Sequence, residues 1–578
     1  MDKATNCMTF TLFMLFTAMN MIKAETCKKG HVIPTTPLVI FLERVQESAL
    51  QAYGHKGFDP KLFVDMSLRK NLSETVEAFN KLPRTVNGSI SVNDLDGFIG
   101  NYLGGADEDL VYVEPVDYVA EPEGFLPKVK NSEVRAWALE VHSLWKNLSR
   151  KVSDHVLEKP ELYTLLPLKN PVIIPGSRFK EVYYWDSYWV IRGLLASKMY
   201  ETAKGIVTNL VSLIDEFGYV LNGARAYYSN RRQVHSLHMD SQPPVLAAMI
   251  VDIYNRTSDL DLVRRSLPAL LKEYHFWNSG IHKVTIQDAQ GSHHSLSRYY
   301  AMWNKPRPDE TASKLPNICE KRELYRELAS AAESGWDFSS RWMRNESALT
   351  TTTTTSIIPV DLNTFLLKME LDIAFLANII GESSMVARFT EASQNKEKAM
   401  NSIFWNAEMG QWLDYWFANS NTSEDIYKWE DLHQNKKSFA SNFVPLWTEL
   451  FRSVQSLRSS GLLQPAGIAM TLSNTGQQWD FPNGWPPLQH IIIEGLARSG
   501  LEEARALAKD IAVRWIRTNY VAYKKTGAMY EKYDVTKCGA AGGGGVYVAQ
   551  TGFGWANGVV LALLEEFGWP EDLKIDCY

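Results

Sequence analysis

The feature that most constrains the fold is a helical spacing of apolar residues that recurs along most of the chain. Between residues 134 and 148, apolar side chains lie three or four positions apart, which is the spacing of one face of a helix. The same spacing returns at 203–214, 245–254, 262–277, 362–380, 501–515 and 559–567. Alternating strand patterns are nearly absent, and only 283–288 suggests the arm of a short hairpin. The sequence therefore predicts a mostly helical protein.

Long segments rich in glycine, proline and tryptophan separate these helices, at 174–190, 221–244, 301–318, 333–363, 476–489 and 538–557. Long ordered loops inside a compact domain are usually functional. Loops that meet at one end of a closed ring of helical hairpins would share a cleft. Because no linker, composition break or charge run divides the chain, residues 30–578 are predicted to form one domain.

Charge and composition limit the partners. The net charge is −6, and acidic and basic residues are mixed without the basic stripe that a nucleic-acid backbone requires. Nucleic acid is therefore not expected as a partner. Aromatic residues make up 12% of the chain and include 18 tryptophans, which suggests stacking on carbohydrate, although tryptophan also fills the cores of large helical proteins.

The N-terminus indicates the secretory route. Lys3 precedes an apolar run at 8–22, so residues 1–24 are predicted to be a signal peptide, or alternatively an uncleaved anchor that associates the chain with a membrane. Six glycosylation sequons begin at Asn71, Asn87, Asn147, Asn255, Asn345 and Asn421. We expect a secreted or plasma-membrane-associated glycoprotein. The 5 cysteines neither require nor exclude disulfides.

One acid stands out in the stretch 333–342, where Asp337 lies between Trp336 and Trp342. An aromatic cleft disfavours the carboxylate and raises its pKa, which suits a general acid. The alternative is that Asp337 caps a helix together with Ser339, with the tryptophans in the core.

Two segments carry a resemblance to a known family. Residues 175–189, PGSRFKEVYYWDSYW, and 478–487, QWDFPNGWPP, are similar to the two signatures of the trehalase family of glycoside hydrolases. The resemblance covers residues from about 35 to 578 and is nearest to plant trehalases. It implies an all-α (α/α)6 toroid that hydrolyses α,α-trehalose to two glucose molecules with inversion, using neither metal nor cofactor.

The resemblance also implies roles. Asp337 matches the general acid and Glu531, in the segment MYEKYD, matches the general base. Judged without the resemblance, Glu531 would be read as a surface charge. The substrate-binding positions implied in the same way are Arg178, Trp185, Asp186, Asn222, Arg231, Gln242, Arg307, Asp309, Gly335 (through its backbone) and Val546. Salt bridging near Glu181 is the alternative for Arg178.

Three departures from the family pattern qualify these expectations. Residues 232–240 separate Arg231 from Ser241-Gln242-Pro243-Pro244. We interpret this segment as a retained intron fragment or splice variant, so Arg231 or Arg232 could supply the family arginine. Its His235 and His238 are interpreted as insertion residues, not metal ligands.

The other departures are single residues. Asp309 is one methylene shorter than the family glutamate, and Val546 replaces a glutamate acceptor after the glycine run 542–545. Two alternatives follow: a trehalase-like pseudoenzyme or binder, which an assay of glucose release would exclude, and a glycosidase for another α-glucoside such as maltose, which a substrate panel would identify. The sequence does not give the oligomeric state.

Overall fold

A computed structural model describes residues 36–54, 58–229, 241–305, 318–346, 348–417, 426–450, 454–545 and 547–577, without the side chains of 318–321. The predicted leader and the segment 232–240 lie outside the described residues. So do Arg231, Arg307, Asp309 and Val546, and the predictions made for them stay predictions.

Helices dominate the described residues. They are α1 Pro37–Tyr53, α2 Lys61–Val64, α3 Leu72–Asn80, α4 Val92–Tyr102, α5 Ser132–Leu148, α6 Asp154–Glu158, α7 Asp186–Ala196, α8 Tyr200–Phe217, α9 Leu246–Thr257, α10 Leu260–Trp277, α11 Ile318–Glu333, α12 Val360–Ile379, α13 Ser383–Ile403, α14 Gln455–Ser459, α15 Pro486–Arg498, α16 Glu502–Thr526 and α17 Gly554–Phe567. None of these helices combines the length and apolarity needed to cross a bilayer.

The strands are short. They are β1 Ser67–Leu68, β2 Leu103–Gly104, β3 Leu110–Tyr112, β4 Ser149–Val152, β5 Val172–Ile173, β6 Lys283–Gln287, β7 His293–Ser297, β8 Ile357–Ile358, β9 Trp405–Asn406, β10 Gln411–Trp412, β11 Tyr415–Trp416, β12 Ile426–Lys428, β13 Leu463–Gln464, β14 Gly467–Ile468, β15 Asn483–Gly484 and β16 Tyr533–Asp534. β6 and β7 form the expected hairpin, which β12 extends in parallel. The remaining ladders fasten loops to one another.

Within the described residues, six elements form a closed inner ring. In order these are α7, α9, α12, the 3-10 helix Ala440–Thr448, α15 and α17, each packed against the next, and α17 packs back against α7. Helices α5, α8, α10, α13 and α16 pack around this ring. The molecule is thus an (α/α)6 toroid, and the predicted fold class is confirmed.

Glycines allow the ring to close where α7 meets α17. A Cβ added to Gly558 would lie 1.9 Å from the carbonyl oxygen of Trp189, and one added to Gly193 would lie 2.4 Å from the Gly558 Cα. The two backbones are therefore in direct contact, at a separation that no larger side chain permits.

The predicted helices are confirmed, with shifted ends and several additions. α16 continues beyond residue 515 to Thr526, and Gly527 with φ +71° ends it. Residues 30–130, where the sequence shows short helical patterns between turns, contain α1, α3 and α4, which form a small apolar cluster of their own near the N-terminus. The predicted loops are shorter than expected because inner helices begin inside them, α7 at Asp186 and α15 at Pro486. These loops therefore lead directly into the N-terminal ends of the inner ring.

Candidate active site

A cavity lies where the loops meet the N-terminal ends of the inner helices. The eight predicted site residues that the structure describes all line it. The full lining is Pro175, Arg178, Phe179, Tyr183, Trp185, Asp186, Asn222, Tyr228, Gln242, Ala332, Gly335, Asp337, Gln478, Trp479, Trp485, Glu531, Tyr547, Phe553 and Trp555. Two carboxyl groups that are distant in sequence, those of Asp337 and Glu531, thus share one cavity.

Tryptophans form one wall of this cavity. The rings of Trp479 and Trp485 stack 4.1 Å apart at an interplanar angle of 1°. Trp336, which is buried in the core and does not line the cavity, stacks on Trp479 at 5.2 Å and 19°. Trp185 meets Trp555 edge to face at 6.0 Å. Such a wall makes one side of the cavity apolar and lowers the local dielectric around the carboxyls.

A tight turn after α11 presents Asp337 to the cavity. Gly335 has φ +75°, and a Cβ at this position would lie 2.5 Å from the Trp185 ring. Only glycine fits both the conformation and the space. Asp337 is half-buried, and the side-chain amide of Gln478 donates a hydrogen bond to its backbone carbonyl oxygen.

The residues after Asp337 are held by the second signature. A carboxylate oxygen of Asp480 accepts a hydrogen bond from the Ser339 hydroxyl at 2.7 Å, and its other oxygen accepts from the Ser340 amide at 2.9 Å. The capping residue of the 3-10 helix Ser340–Trp342 is Ser339, whose side chain accepts from the Arg341 amide. Asp480 therefore fixes the direction in which the chain leaves Asp337.

A buried arginine completes the support of this loop. Arg341 makes a two-point contact with Asp361 at 2.6 and 2.9 Å and another with Asp414 at 2.7 and 2.9 Å. Its guanidinium also lies between the rings of Trp336 and Trp342, 4.8 and 4.3 Å from their centroids. The planar fork matches both carboxylates while the rings cover its faces. The Trp336–Trp342 stretch is thereby held to α12.

Glu531 enters the cavity from the opposite part of the chain and is 1% exposed. Its interpretation as a surface charge is therefore wrong. Burial raises the pKa of this carboxyl, and the positive charges of Lys532 and Arg178 partly offset that increase. The Oε1 atom pairs with Lys532 Nζ at 2.8 Å. Oε2 is buried and has no hydrogen-bond partner among the described residues, so its lone pairs are not used by contacts within the described protein.

Arg178 is fixed by a residue that the sequence analysis did not identify. Asp59, just before α2, accepts hydrogen bonds from Arg178 Nε at 2.7 Å and from Nη2 at 2.6 Å. The guanidinium also lies 5.1 Å from the Tyr547 ring centroid. Glu181 pairs instead with Lys61 at 2.5 Å. The expected salt bridging around Arg178 therefore exists, but its partner is Asp59.

The remaining polar residues are held by backbone contacts. Asp186 is buried at the first turn of α7, and burial raises the pKa of its carboxyl well above the usual range, with further increases from the charges of Asp337 and Glu531. Gln242 accepts a hydrogen bond from the Trp185 amide at 3.0 Å, and Asn222 donates to the Ser241 carbonyl oxygen at 3.2 Å. Gln242 thus lines the cavity although residues 232–240 precede it.

Comparison with known proteins decides the family. The family model described as Trehalase matches residues 56–568. This chain belongs to the trehalase family. It is 55% identical to a probable trehalase of Oryza sativa subsp. japonica over 95% of this chain and 99% of that protein. It is 54% identical to a trehalase of Arabidopsis thaliana over 95% of this chain and 88% of that protein.

A solved structure supports the fold. The neutral trehalase Nth1 from Saccharomyces cerevisiae superposes with a TM-score of 0.52 and 25% identity, over 68% of this chain and 73% of that chain. The resemblance to trehalases, including plant trehalases, is confirmed. The acid, the base and the sugar contacts that the resemblance implies stay predictions.

Several lining residues of this trehalase-family cavity had not been singled out, among them Gln478, Tyr547, Phe179 and Phe553. Gln478 lies inside the second signature and Tyr547 follows the glycine run, so their positions beside recognised motifs were the available signal. Asp59 had no such signal. Among the residues that the structure describes, no cluster of three or more His, Cys, Asp or Glu has the arrangement of a metal site, and independence of metal stays a prediction.

Proposed function

We propose that this chain hydrolyses α,α-trehalose to two glucose molecules with inversion, with Asp337 as general acid and Glu531 as general base. The observation that supports this most is that both carboxyls line one tryptophan-walled cavity and that Glu531 keeps a buried oxygen without a partner among the described residues. An inverting glycosidase requires two carboxyls with room for a water between one of them and the sugar.

The chemistry then follows from the two protonation states. Protonated Asp337 gives its proton to the glycosidic oxygen as the bond to the anomeric carbon breaks. Ionised Glu531 takes a proton from the water that attacks that carbon from the opposite face. One trehalose and one water yield one β-glucose and one α-glucose. Exchange with solvent returns the proton to Asp337 and removes it from Glu531.

The remaining site assignments belong to the same proposal. Arg178 offers a planar fork of donors that matches vicinal sugar hydroxyls, and the Gly335 backbone and the Trp185 ring pack against the sugar. Asp186, Asn222 and Gln242 supply acceptors and donors from neighbouring loops. Arg231, Arg307 and Asp309 are proposed on the resemblance alone.

The experiment is an assay of glucose release by the purified full chain, with trehalose and maltose as parallel substrates. We expect release from trehalose and little from maltose. Asp337→Asn and Glu531→Gln should each lower turnover by about 10²- to 10⁴-fold while circular dichroism shows retained folding. Proton NMR of early product should show equal β- and α-glucose. Wild-type turnover in either variant, or two α anomers, would refute the assignment.

The alternative of an impaired trehalase-like binder is tested at Val546. Replacing the family glutamate with valine removes an acceptor for a substrate hydroxyl, which costs on the order of 1–3 kcal/mol, or roughly ten- to a hundredfold in turnover efficiency. Val546→Glu should therefore be more active. A chain lacking 232–240, in which Arg231 directly precedes Ser241 as in the family pattern, should also be more active. No glucose release from any of the three proteins would favour the binder.

We also propose that the protein is secreted or held at the outer face of the plasma membrane, as a glycoprotein made with a leader. Asn71, Asn87, Asn147, Asn255 and Asn345 are exposed, as glycosylation requires. A disulfide joins Cys538 to Cys577, and structural disulfides are typical of oxidising compartments. Enzymatic deglycosylation should increase electrophoretic mobility, and N-terminal sequencing should begin near residue 25.

A further inference from the structure

Next to the proposed base lies a buried cation to which neither the motifs nor the resemblance gives a role. The side chain of Lys532 is 0% exposed. Its Nζ lies 2.8 Å from Glu531 Oε1 and 3.0 Å from Gln478 Oε1. The ammonium also lies 4.9 Å from the Trp485 ring centroid and 5.3 Å from that of Tyr547. Two acceptors and two aromatic faces therefore surround this charge, and it has little freedom to move.

The glycine run provides the space that this side chain occupies. A Cβ added to Gly542 would lie 2.7 Å from Lys532 Cγ and 2.6 Å from Asn483 Oδ1. The Gly542 amide also donates to the Lys532 carbonyl oxygen at 3.0 Å. Gly542 therefore leaves room for the Lys532 side chain, which a larger residue at this position would displace.

Gln478 connects the lysine to the other acid. Its Oε1 accepts from Lys532, and its Nε2 donates to the backbone carbonyl oxygen of Asp337. A continuous chain of contacts thus runs from Glu531 through Lys532 and Gln478 to the backbone at Asp337. Gln478 thus helps to hold the ammonium beside Glu531.

We propose that Lys532 is a positioning residue for the hydrolytic reaction, which holds Oε1 of Glu531 so that Oε2 faces the attacking water and keeps the carboxyl ionised. The inference rests on the proposed function, since it needs Glu531 to be the base. Burial alone would raise the pKa of Glu531, and Lys532 provides the largest opposing contribution, ahead of Arg178. Within the part of the chain that the structure describes, Asp186 and Tyr547 also interact electrostatically with Glu531.

Lys532→Met keeps an unbranched side chain that is one heavy atom shorter and removes the charge. The acid limb of the kcat/KM profile against pH, which a base controls, should move to higher pH by at least one pH unit. At a given pH below the limb, kcat/KM of Lys532→Met, expressed as a fraction of its own plateau value, should then be about tenfold lower than that of the wild type. Lys537→Met is the matched control, because Lys537 is exposed on the same loop, and its profile should not change. A uniform loss at every pH in Lys532→Met would indicate a structural role only and would overturn the proposal.

A double-mutant cycle separates this inference from the proposed function. If Lys532 acts through Glu531, Lys532→Met should have no further effect on turnover in the Glu531→Gln background. Independent, multiplying losses would overturn the positioning role. Full activity of Glu531→Gln alone would instead refute the proposed base.

Gly542→Ala provides a second route if Lys532→Met does not fold. Its methyl group displaces the lysine without removing any charge, and Gly542 is outside the left-handed region of backbone conformation. The acid limb should move in the same direction by a smaller amount. An unchanged limb in a folded Gly542→Ala protein of lowered activity would count against the role of Lys532.

Discussion

The loops that carry Asp337 and Glu531 are held in place by different means. On the Asp337 side, the neighbours of Asp337 are held through Arg341 with Asp361 and Asp414, and through Asp480 with Ser339 and Ser340. On the Glu531 side, a cation binds the carboxylate itself. A change in the first set should therefore move an acid without altering its charge. A substitution of Lys532 should instead alter the ionisation of Glu531 directly.

The largest expected effect comes from breaking the arginine beneath the Asp337 loop. Arg341→Met leaves Asp361 and Asp414 buried without their cation, and removing one partner of a buried ion pair costs about 3–5 kcal/mol. Chemical denaturation should show this loss in the free energy of unfolding. Arg344→Met, at an exposed position three residues on, should change it by no more than about 0.5 kcal/mol. An equal loss of unfolding free energy in Arg341→Met and Arg344→Met would mean that the buried ion pairs of Arg341 do not hold the Asp337 loop in place.

A milder change tests whether the Asp337 loop controls position alone. Asp480→Asn replaces one acceptor oxygen by a donor that faces the Ser339 hydroxyl or the Ser340 amide, which should cost about 1–3 kcal/mol of stability. Turnover should fall roughly ten- to a hundredfold because a loosened acid is misplaced. The acid limb of kcat/KM should stay at its wild-type pH. A displaced limb would show that this loop also sets the ionisation of the base.

The same contrast explains what the sequence could predict. Apolar spacing marks α9, α12 and α17 of the inner ring, but not α7 and α15, which are buried on nearly every side and so show no single apolar face. The toroid was therefore predicted from the family resemblance, whereas Asp480, whose carboxylate holds Ser339 and Ser340 beside Asp337, lies inside the second signature. The role of Glu531 could be predicted only from the family resemblance, because nothing in a Glu-Lys-Tyr-Asp run indicates burial. The partner of Arg178 could not be predicted, since Asp59 lies 119 positions away and outside both signatures.

The smallest expected effect is at Asp59, the partner of Arg178. Asp59 influences the ionisation of Glu531 through Arg178. Asp59→Asn should loosen Arg178 and raise the KM for trehalose about tenfold, a change that corresponds to about 1.4 kcal/mol. It also removes a negative charge beside Arg178, whose positive charge favours ionised Glu531. The acid limb should therefore move slightly to lower pH, opposite in direction to the change expected for Lys532→Met.

The matched control for this change is Asp107→Asn, which breaks the exposed pair with Lys180. Exposed pairs contribute little, so neither KM nor the limb should change. A limb that moves to higher pH in Asp59→Asn would mean that the orientation of Arg178, and not the balance of charge, controls the base. Glu531 would then be governed by position, as Asp337 is, and the two loops would differ only in where the supporting contacts are made.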